Sequence, residues 1–300
     1  EFVEMPYLRG SFFRLGMRPD PGHSRVTVME DEAEDSLIFP WPQRGEERLY
    51  LHSKLIDHES GERIRNYTLE EPAGENEVRV RVRFPGPGRY AVKMSARTKE
   101  NNYYGLGSYF FEVKSLDEPL PPFPSLHPRF YELGMEPDPK QAGLTVLRGR
   151  GEDELLFPLP RSEDGELGLW CKIEDRETEK EIENHSLVER IGEDRARIRV
   201  RFPGNGGYRL LLFAYDEKRD YHYLGHYFFE VESLENPPAP FPDVYTRAHE
   251  YGVRDLQPRE GALEKGKRVR LSFRASEDEQ FFLRTDGANI PIPYDSSTTR

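Results

Sequence analysis

The chain has 300 residues with 43 Lys and Arg against 55 Asp and Glu, a formal net charge of −12, and 36% hydrophobic and 12% aromatic residues. The acidic surplus excludes a surface built broadly for phosphate backbones, and no apolar run reaches the ~18 residues that a membrane-spanning helix needs. Such a length suits two or three domains with cores of their own, and 25 Gly and 25 Pro beside 18 Phe and 16 Tyr favour short strands and frequent turns.

The opening Glu1-Phe2-Val3-Glu4-Met5-Pro6 has neither an initiator Met nor the pattern of a secretory leader, so the chain reads as a piece of a longer one. From there the sequence is a duplication with an offset of 118. Phe13 to Pro21 returns as Tyr131 to Pro139, and Leu37-Ile38-Phe39-Pro40 returns as Leu155-Leu156-Phe157-Pro158. Tyr109-Phe110-Phe111-Glu112-Val113 is repeated letter for letter from Tyr227 to Val231. An ungapped repeat of this size is a duplicated domain rather than a solenoid unit.

Strands are predicted in the first copy near 24–29, 36–40, 47–56, 63–69, 76–84, 89–97 and 105–114. The clearest signal is the stretch around RVRFPGPGRY, 81–90, repeated as RVRFPGNGGY, 199–208. Val78, Val80, Val82 and Phe84 alternate with charged residues, as do Ala196, Ile198, Val200 and Phe202. A period of two gives one buried face, and the Pro/Gly run then turns the chain into a hairpin. Tyr90 and Tyr208 follow the turn, in the place of the tyrosine corner of immunoglobulin-like sandwiches, whose cysteines are lacking here. The prediction is all-β: tandem immunoglobulin-like antiparallel β-sandwiches of about seven strands, joined by Pro-rich spacers.

Repeat 1 is assigned to 1–118, a spacer to 119–124, repeat 2 to 125–236, a second spacer to 237–242, and a partial third repeat to 243–300. In the third, Pro242 and Gly252 continue the combs of Pro6 and Pro124 and of Gly16 and Gly134. After an insertion, Val269 to Phe273 and Gln280 to Leu283 resemble early strands. Dense proline makes each spacer semi-rigid. Phe123 and Phe241 sit among the prolines, and each is expected to plug into the base of an adjoining domain.

Little in the sequence points to chemistry. Cys171 is a lone thiol whose counterpart is Ser53, and it reads as structural rather than as a nucleophile. A single cysteine favours a reducing compartment. Acidic runs at 30–35 and 152–154 lack the ligand ladder of a calcium loop and read as solvated. His222 and His226 lie four apart on a strand, too far to share an ion. No phosphate-cradling or dinucleotide fingerprint is present, and no cofactor is expected. The arginine faces, Arg79, Arg81 and Arg83 with Arg197, Arg199 and Arg201, are the candidate partner surface. The alternative there is neutralisation by cross-strand Glu and Asp. Asn66-Tyr67-Thr68 and Asn184-His185-Ser186 fit the glycosylation pattern at equivalent positions, which a duplicated accident also explains.

Taken together, the Leu-Gly-Met-x-Pro-Asp-Pro opening at 15–21 and 133–139, the Phe-Pro-Gly-x-Gly-x-Tyr hairpin, the Gly-x-Tyr-Phe-Phe-Glu-Val closing strand and the spacers carry a resemblance. Both copies resemble the immunoglobulin-like modules that follow the transglutaminase-like domain in the kyphoscoliosis peptidase and hillarin group. The resemblance implies a non-catalytic part of a larger, cytoskeleton- or muscle-associated cytoplasmic protein that binds protein partners. It implies neither nucleic-acid binding nor membrane insertion. The family's Cys-His-Asp triad belongs to a separate domain and matches no residue here. An extracellular adhesion or carbohydrate-binding array remains the alternative, and an enzyme working through Cys171 a third.

Overall fold

Alternation in sequence becomes alternation in burial. Along Glu77–Arg83, Val78, Val80 and Val82 are fully buried while Arg79 and Arg81 are not, which places one strand face on a core and leaves its charged face outside. The computed structural model describes residues 5–98, 100–162, 165–192, 194–216, 218, 220–243, 253–261, 266–275, 280–284 and 288–293.

In the first repeat the elements are β1 (Tyr7–Leu8), α1 (Gly10–Arg14), β2 (Thr27–Glu30), β3 (Glu34–Pro40), β4 (Gln43–Arg44), β5 (Glu47–Arg48), β6 (Tyr50–Asp57), β7 (Arg63–Ile64), β8 (Thr68–Pro72), β9 (Glu77–Arg83), β10 (Gly88–Arg97) and β11 (Tyr103–Ser115). The larger sheet runs β1-β11-β10-β6-β7 with β2 also on β11, and the smaller runs β3-β9-β8. Between them lie Phe12, Leu37, Phe39, Leu55, Val80, Phe84, Val92 and Phe111. The second repeat has β12 (Ser125–Leu126), α2 (Pro128–Glu132), β13 (Thr145–Arg148), β14 (Glu152–Pro158), β15 (Arg161–Ser162), β16 (Gly165–Glu166), β17 (Gly168–Asp175), β18 (Glu181–Ile182), β19 (Ser186–Ile191), β20 (Arg195–Arg201), β21 (Gly206–Tyr215) and β22 (Tyr221–Glu232). Its sheets are β12-β22-β21-β17-β18, with β13 on β22, and β14-β20-β19. The chain is thus nearly all β, with tandem immunoglobulin-like sandwiches.

Three details depart from the sequence expectation. The predicted strand at 63–69 is two strands: β7 pairs with β6 in the larger sheet, and β8 pairs with β9 in the smaller. Between them Asn66 takes φ 62°, and its counterpart Asn184 takes φ 58°. A left-handed residue breaks extended backbone and turns the chain from one sheet to the other; Asn tolerates that conformation better than most side chains do. Next, β2 runs parallel to β11 within an otherwise antiparallel sheet. Finally, single-turn helices occupy 10–14 and 128–132, each burying one Phe, Phe12 or Phe130. Gly16 (φ 76°) and Gly134 (φ 70°) close them in the left-handed conformation that glycine takes without strain.

In the third segment β23 (Arg254–Gln257) pairs with β24 (Ser272–Arg274), and β25 (Phe282–Arg284) pairs with β26 (Asn289–Pro291). The strands expected at 269–273 and 280–283 therefore lie slightly further along the chain. Gly252 lies outside the described residues.

Candidate functional site

The chain builds the same joint twice. At the first, Phe123 is fully buried, and its N–H donates to the Asn66 carbonyl at 2.6 Å. The Arg83 guanidinium lies over the Phe123 ring, 4.0 Å from the centroid, with that of Arg81 at 5.0 Å. Arg83 also donates through Nε to Glu34 (2.7 Å) and through Nη1 to the carbonyls of Pro121 (2.6 Å) and Ala142 (3.0 Å). One side chain from the end of β9 therefore holds the first sandwich, the spacer and the second sandwich together. Leu144 N–H donates to Pro122 O at 2.9 Å and closes the contact from the other side.

At the second joint Phe241 is 1% exposed, and its N–H donates to Asn184 O at 2.7 Å. Arg201 lies 4.2 Å from that ring's centroid. It donates to Glu152 (3.2 Å), Ala239 O (2.9 Å) and Arg259 O (2.9 Å). Gly261 N–H donates to Pro240 O at 2.7 Å. The third segment thus meets the second sandwich through the contacts that join the second to the first.

Space explains a glycine in each joint. A Cβ on Gly143 would lie 2.8 Å from both Arg83 Nη1 and Pro122 O, and one on Gly261 would lie 2.2 Å from Phe241 O. The counterpart of Gly143 in the first repeat is Arg25. Beside the first joint, Tyr50 donates to Glu132 of α2 at 2.8 Å, and both line a cleft of about 480 Å³. Burial, aided by the Glu132 carboxylate, pushes the Tyr50 phenol up to about 12.

The arginine stripe is engaged within the chain. Arg79 and Arg81 reach Glu71, Arg81 and Arg83 share Glu34, and Arg197 and Arg199 meet Glu154 and Glu189. Arg83 and Arg201 are buried at the joints. The acidic runs read as solvated loops supply part of this: Glu34 and Glu152 begin β3 and β14 as the partners of Arg83 and Arg201. Tyr90 donates to Gly86 O at 2.9 Å, and Tyr208 donates to Gly204 O at 3.0 Å, each tying the strand to its preceding turn.

Cys171 is buried, and burial pushes its thiol up to about 12. Its counterpart Ser53 donates its N–H (2.5 Å) and its hydroxyl to Glu70, whose carboxyl burial holds above the usual range against those bonds. In the second repeat Val188 replaces Glu70 as Cys171 replaces Ser53. The hydrogen-bonded Ser53–Glu70 pair thus has an apolar counterpart in buried Cys171 and partly buried Val188, and an apolar side chain at 188 spares that sandwich a carboxylate to satisfy.

Among the joint residues, Gly143 and Gly261 carry no sequence expectation, whereas Glu34 and Glu152 stand in the acidic runs and Asn66 and Asn184 in the glycosylation triplets. The two Asn were visible only as glycosylation triplets, although their recurrence in the turn before a strand was also a signal for a left-handed residue. Gly143 and Gly261 share the repeat offset but not the structural place: Gly261 N–H and Arg259 O stand where Leu144 N–H and Ala142 O stand at the first joint, a shift of one residue that the sequence offset conceals.

Solved structures similar to this chain include an I-band fragment of titin, at 9% identity and TM-score 0.20, covering 73% of this chain and 64% of that one. Fibronectin(III)-like modules of Clostridium thermocellum CbhA match at 11% identity and TM-score 0.22, over 72% of this chain and 94% of theirs. The sialic acid binding region of a Streptococcus sanguinis adhesin matches at 9% and 0.22, over 72% and 79%. No curated protein sequence matches the chain. The family described as KY-like, immunoglobulin-like domain matches residues 1–124 and 123–242. With both segments matched and both folded as sandwiches joined through Phe123, the chain belongs to the KY-like, immunoglobulin-like domain family.

Proposed function

We propose that this chain is a non-catalytic scaffold that holds successive sandwiches in a set orientation for protein partners of the cytoskeleton, in the cytoplasm. The observation that carries this reading is the repeated joint, in which Phe123 or Phe241, a buried arginine and an Asn carbonyl recur at the same repeat positions. A tether that merely separates domains needs no buried aromatic or interdomain hydrogen bonds. Burying one Phe side chain contributes roughly 1.5–3 kcal/mol, enough to bias orientation. A buried Cys171 thiol suits a reducing compartment. The Asn66 and Asn184 triplets, which motivated the extracellular reading, have a second explanation in the left-handed backbone that both residues take, at φ 62° and 58°, a conformation Asn tolerates better than most side chains do.

Detergent extraction of cells expressing the chain tests this proposal. Retention in the insoluble cytoskeletal residue is expected, with weaker retention for Phe123→Ser. Complete release into the soluble fraction contradicts it.

A further inference from the structure

The cleft of about 480 Å³ beside the first joint has walls from both sandwiches. The first supplies Trp41, the β4–β5 hairpin, Tyr50 of β6, Glu70 of β8 and the turn at Glu75, and the second supplies α2. Five carboxylates line it, those of Glu46, Glu47, Glu70, Glu75 and Glu132, against one cation, Arg48. Glutamates elsewhere on these sheets, such as Glu34, Glu71 and Glu189, are neutralised by arginines across the strands. Among the described residues, Glu46, Glu47 and Glu75 form no ion pair. Folding does not ask for this lining. The equivalents of Trp41, Glu47, Tyr50 and Glu70 in the second sandwich are Leu159, Gly165, Gly168 and Val188, and the same two sheets form there. The aromatic wall already holds a guanidinium, since that of Arg48 lies over the Trp41 ring, 3.6 Å from its centroid. Trp41 Nε1 and the Tyr131 hydroxyl are buried in the walls without a hydrogen-bond partner, where such groups are normally bonded.

We propose that this cleft binds a basic, arginine-containing peptide segment of a partner protein, whose guanidinium takes the place of Arg48 on Trp41. Charge is the main argument. Carboxylates in a cleft of a chain with net charge −12 draw a cation in and repel an acidic peptide or a nucleic acid. A metal ion fits less well, because among the described residues no three acidic, imidazole or thiol groups are placed to hold one. Arginine suits the aromatic wall better than lysine does, since its planar group stacks on a ring while its N–H groups still reach carboxylates. A peptide also brings backbone carbonyls, the acceptors that the Trp41 and Tyr131 donors lack. Because α2 forms one wall, the site is complete only where the two sandwiches are joined. This inference rests on the scaffold reading and deepens it by naming the chemistry of one partner.

Calorimetric titration of the whole chain with end-blocked tetra-arginine, and separately with tetra-glutamate, tests it. Saturable binding of tetra-arginine is expected, weaker as salt is raised, with no binding of tetra-glutamate. Glu47→Gln together with Glu75→Gln should weaken binding about tenfold. Glu30→Gln together with Glu232→Gln removes the same charge outside the cleft and should leave affinity within about twofold of wild type. Arg48→Gln should tighten binding, because it vacates the Trp41 ring and removes the one like charge. Absence of saturable binding, equal loss in the two glutamate pairs, no tightening by Arg48→Gln, or binding of the acidic peptide would each overturn the proposal. None of these outcomes bears on cytoskeletal retention or on the rigidity of the joints.

Discussion

His23 and Gln141 occupy one repeat position and do one job with different chemistry. His23 bonds Asp20 (2.9 Å) and Asp35 (3.0 Å), whereas Gln141 donates to Asp153 at 2.8 Å. Burial alone lowers the His23 pKa, but the two carboxylates outweigh it and leave the imidazole raised above its ordinary 6.5. A raised folded-state pKa gives stability that is full below about 6.5 and is lost as pH rises through the folded value. The first sandwich should therefore weaken over that window. His23→Gln, which copies the second sandwich, should flatten the pH dependence of the thermal midpoint, and an unchanged slope would count against the ion pairs. The corner tyrosines make a narrower prediction. Tyr90→Phe and Tyr208→Phe each remove one hydrogen bond and should cost about 1 kcal/mol in denaturant unfolding. A midpoint equal to wild type would show that the bond contributes nothing. Cys171, its thiol raised to about 12 by burial, should react with a thiol reagent only on unfolding. Fast labelling of the folded chain would contradict its packing role.

At the scale of elements, strands whose burial obeys a period of two were legible from the sequence, because side-chain direction on a strand follows from backbone geometry alone. Val78 to Phe84 and Ala196 to Phe202 are examples. The division of 63–69 was not legible. It depends on one left-handed Asn, and the apolar and polar order around Asn66 reads the same whether the strand continues or changes sheet. Single-turn helices such as 10–14 are too short to show a 3.6-residue period. The joints were half legible. Phe123 stood out because an aromatic in a polar spacer invites burial, but Arg83 looked like one more member of a charged face until its contacts with Pro121 and Ala142 were seen. Gly143→Val tests the close approach at the first joint, since a Cβ there meets Arg83 and Pro122 at 2.8 Å. The amides of Phe123 and Leu144, which the joint holds in hydrogen bonds, should exchange hydrogen faster while both sandwiches keep their protection. Exchange equal to wild type would show that the joint accommodates a side chain.

For the molecule as a whole, duplication preserved the joint and let the outer faces diverge. Arg83 and Arg201, Phe123 and Phe241, and Asn66 and Asn184 are kept, whereas His52 and Ser95 face Trp170 and Phe213 across the repeat. That division of labour is what a scaffold requires: common geometry between modules and a different surface on each. Stiffness is the central claim, because only a fixed orientation turns separate sandwiches into a defined spacing of surfaces. Small-angle scattering of the whole chain, wild type against Phe123→Ser, measures it most directly. The account predicts a narrow distribution of interdomain distances for wild type and a broader one for the variant, with the circular dichroism of both the same. Superimposable scattering curves would contradict it and leave the spacer no more than a tether.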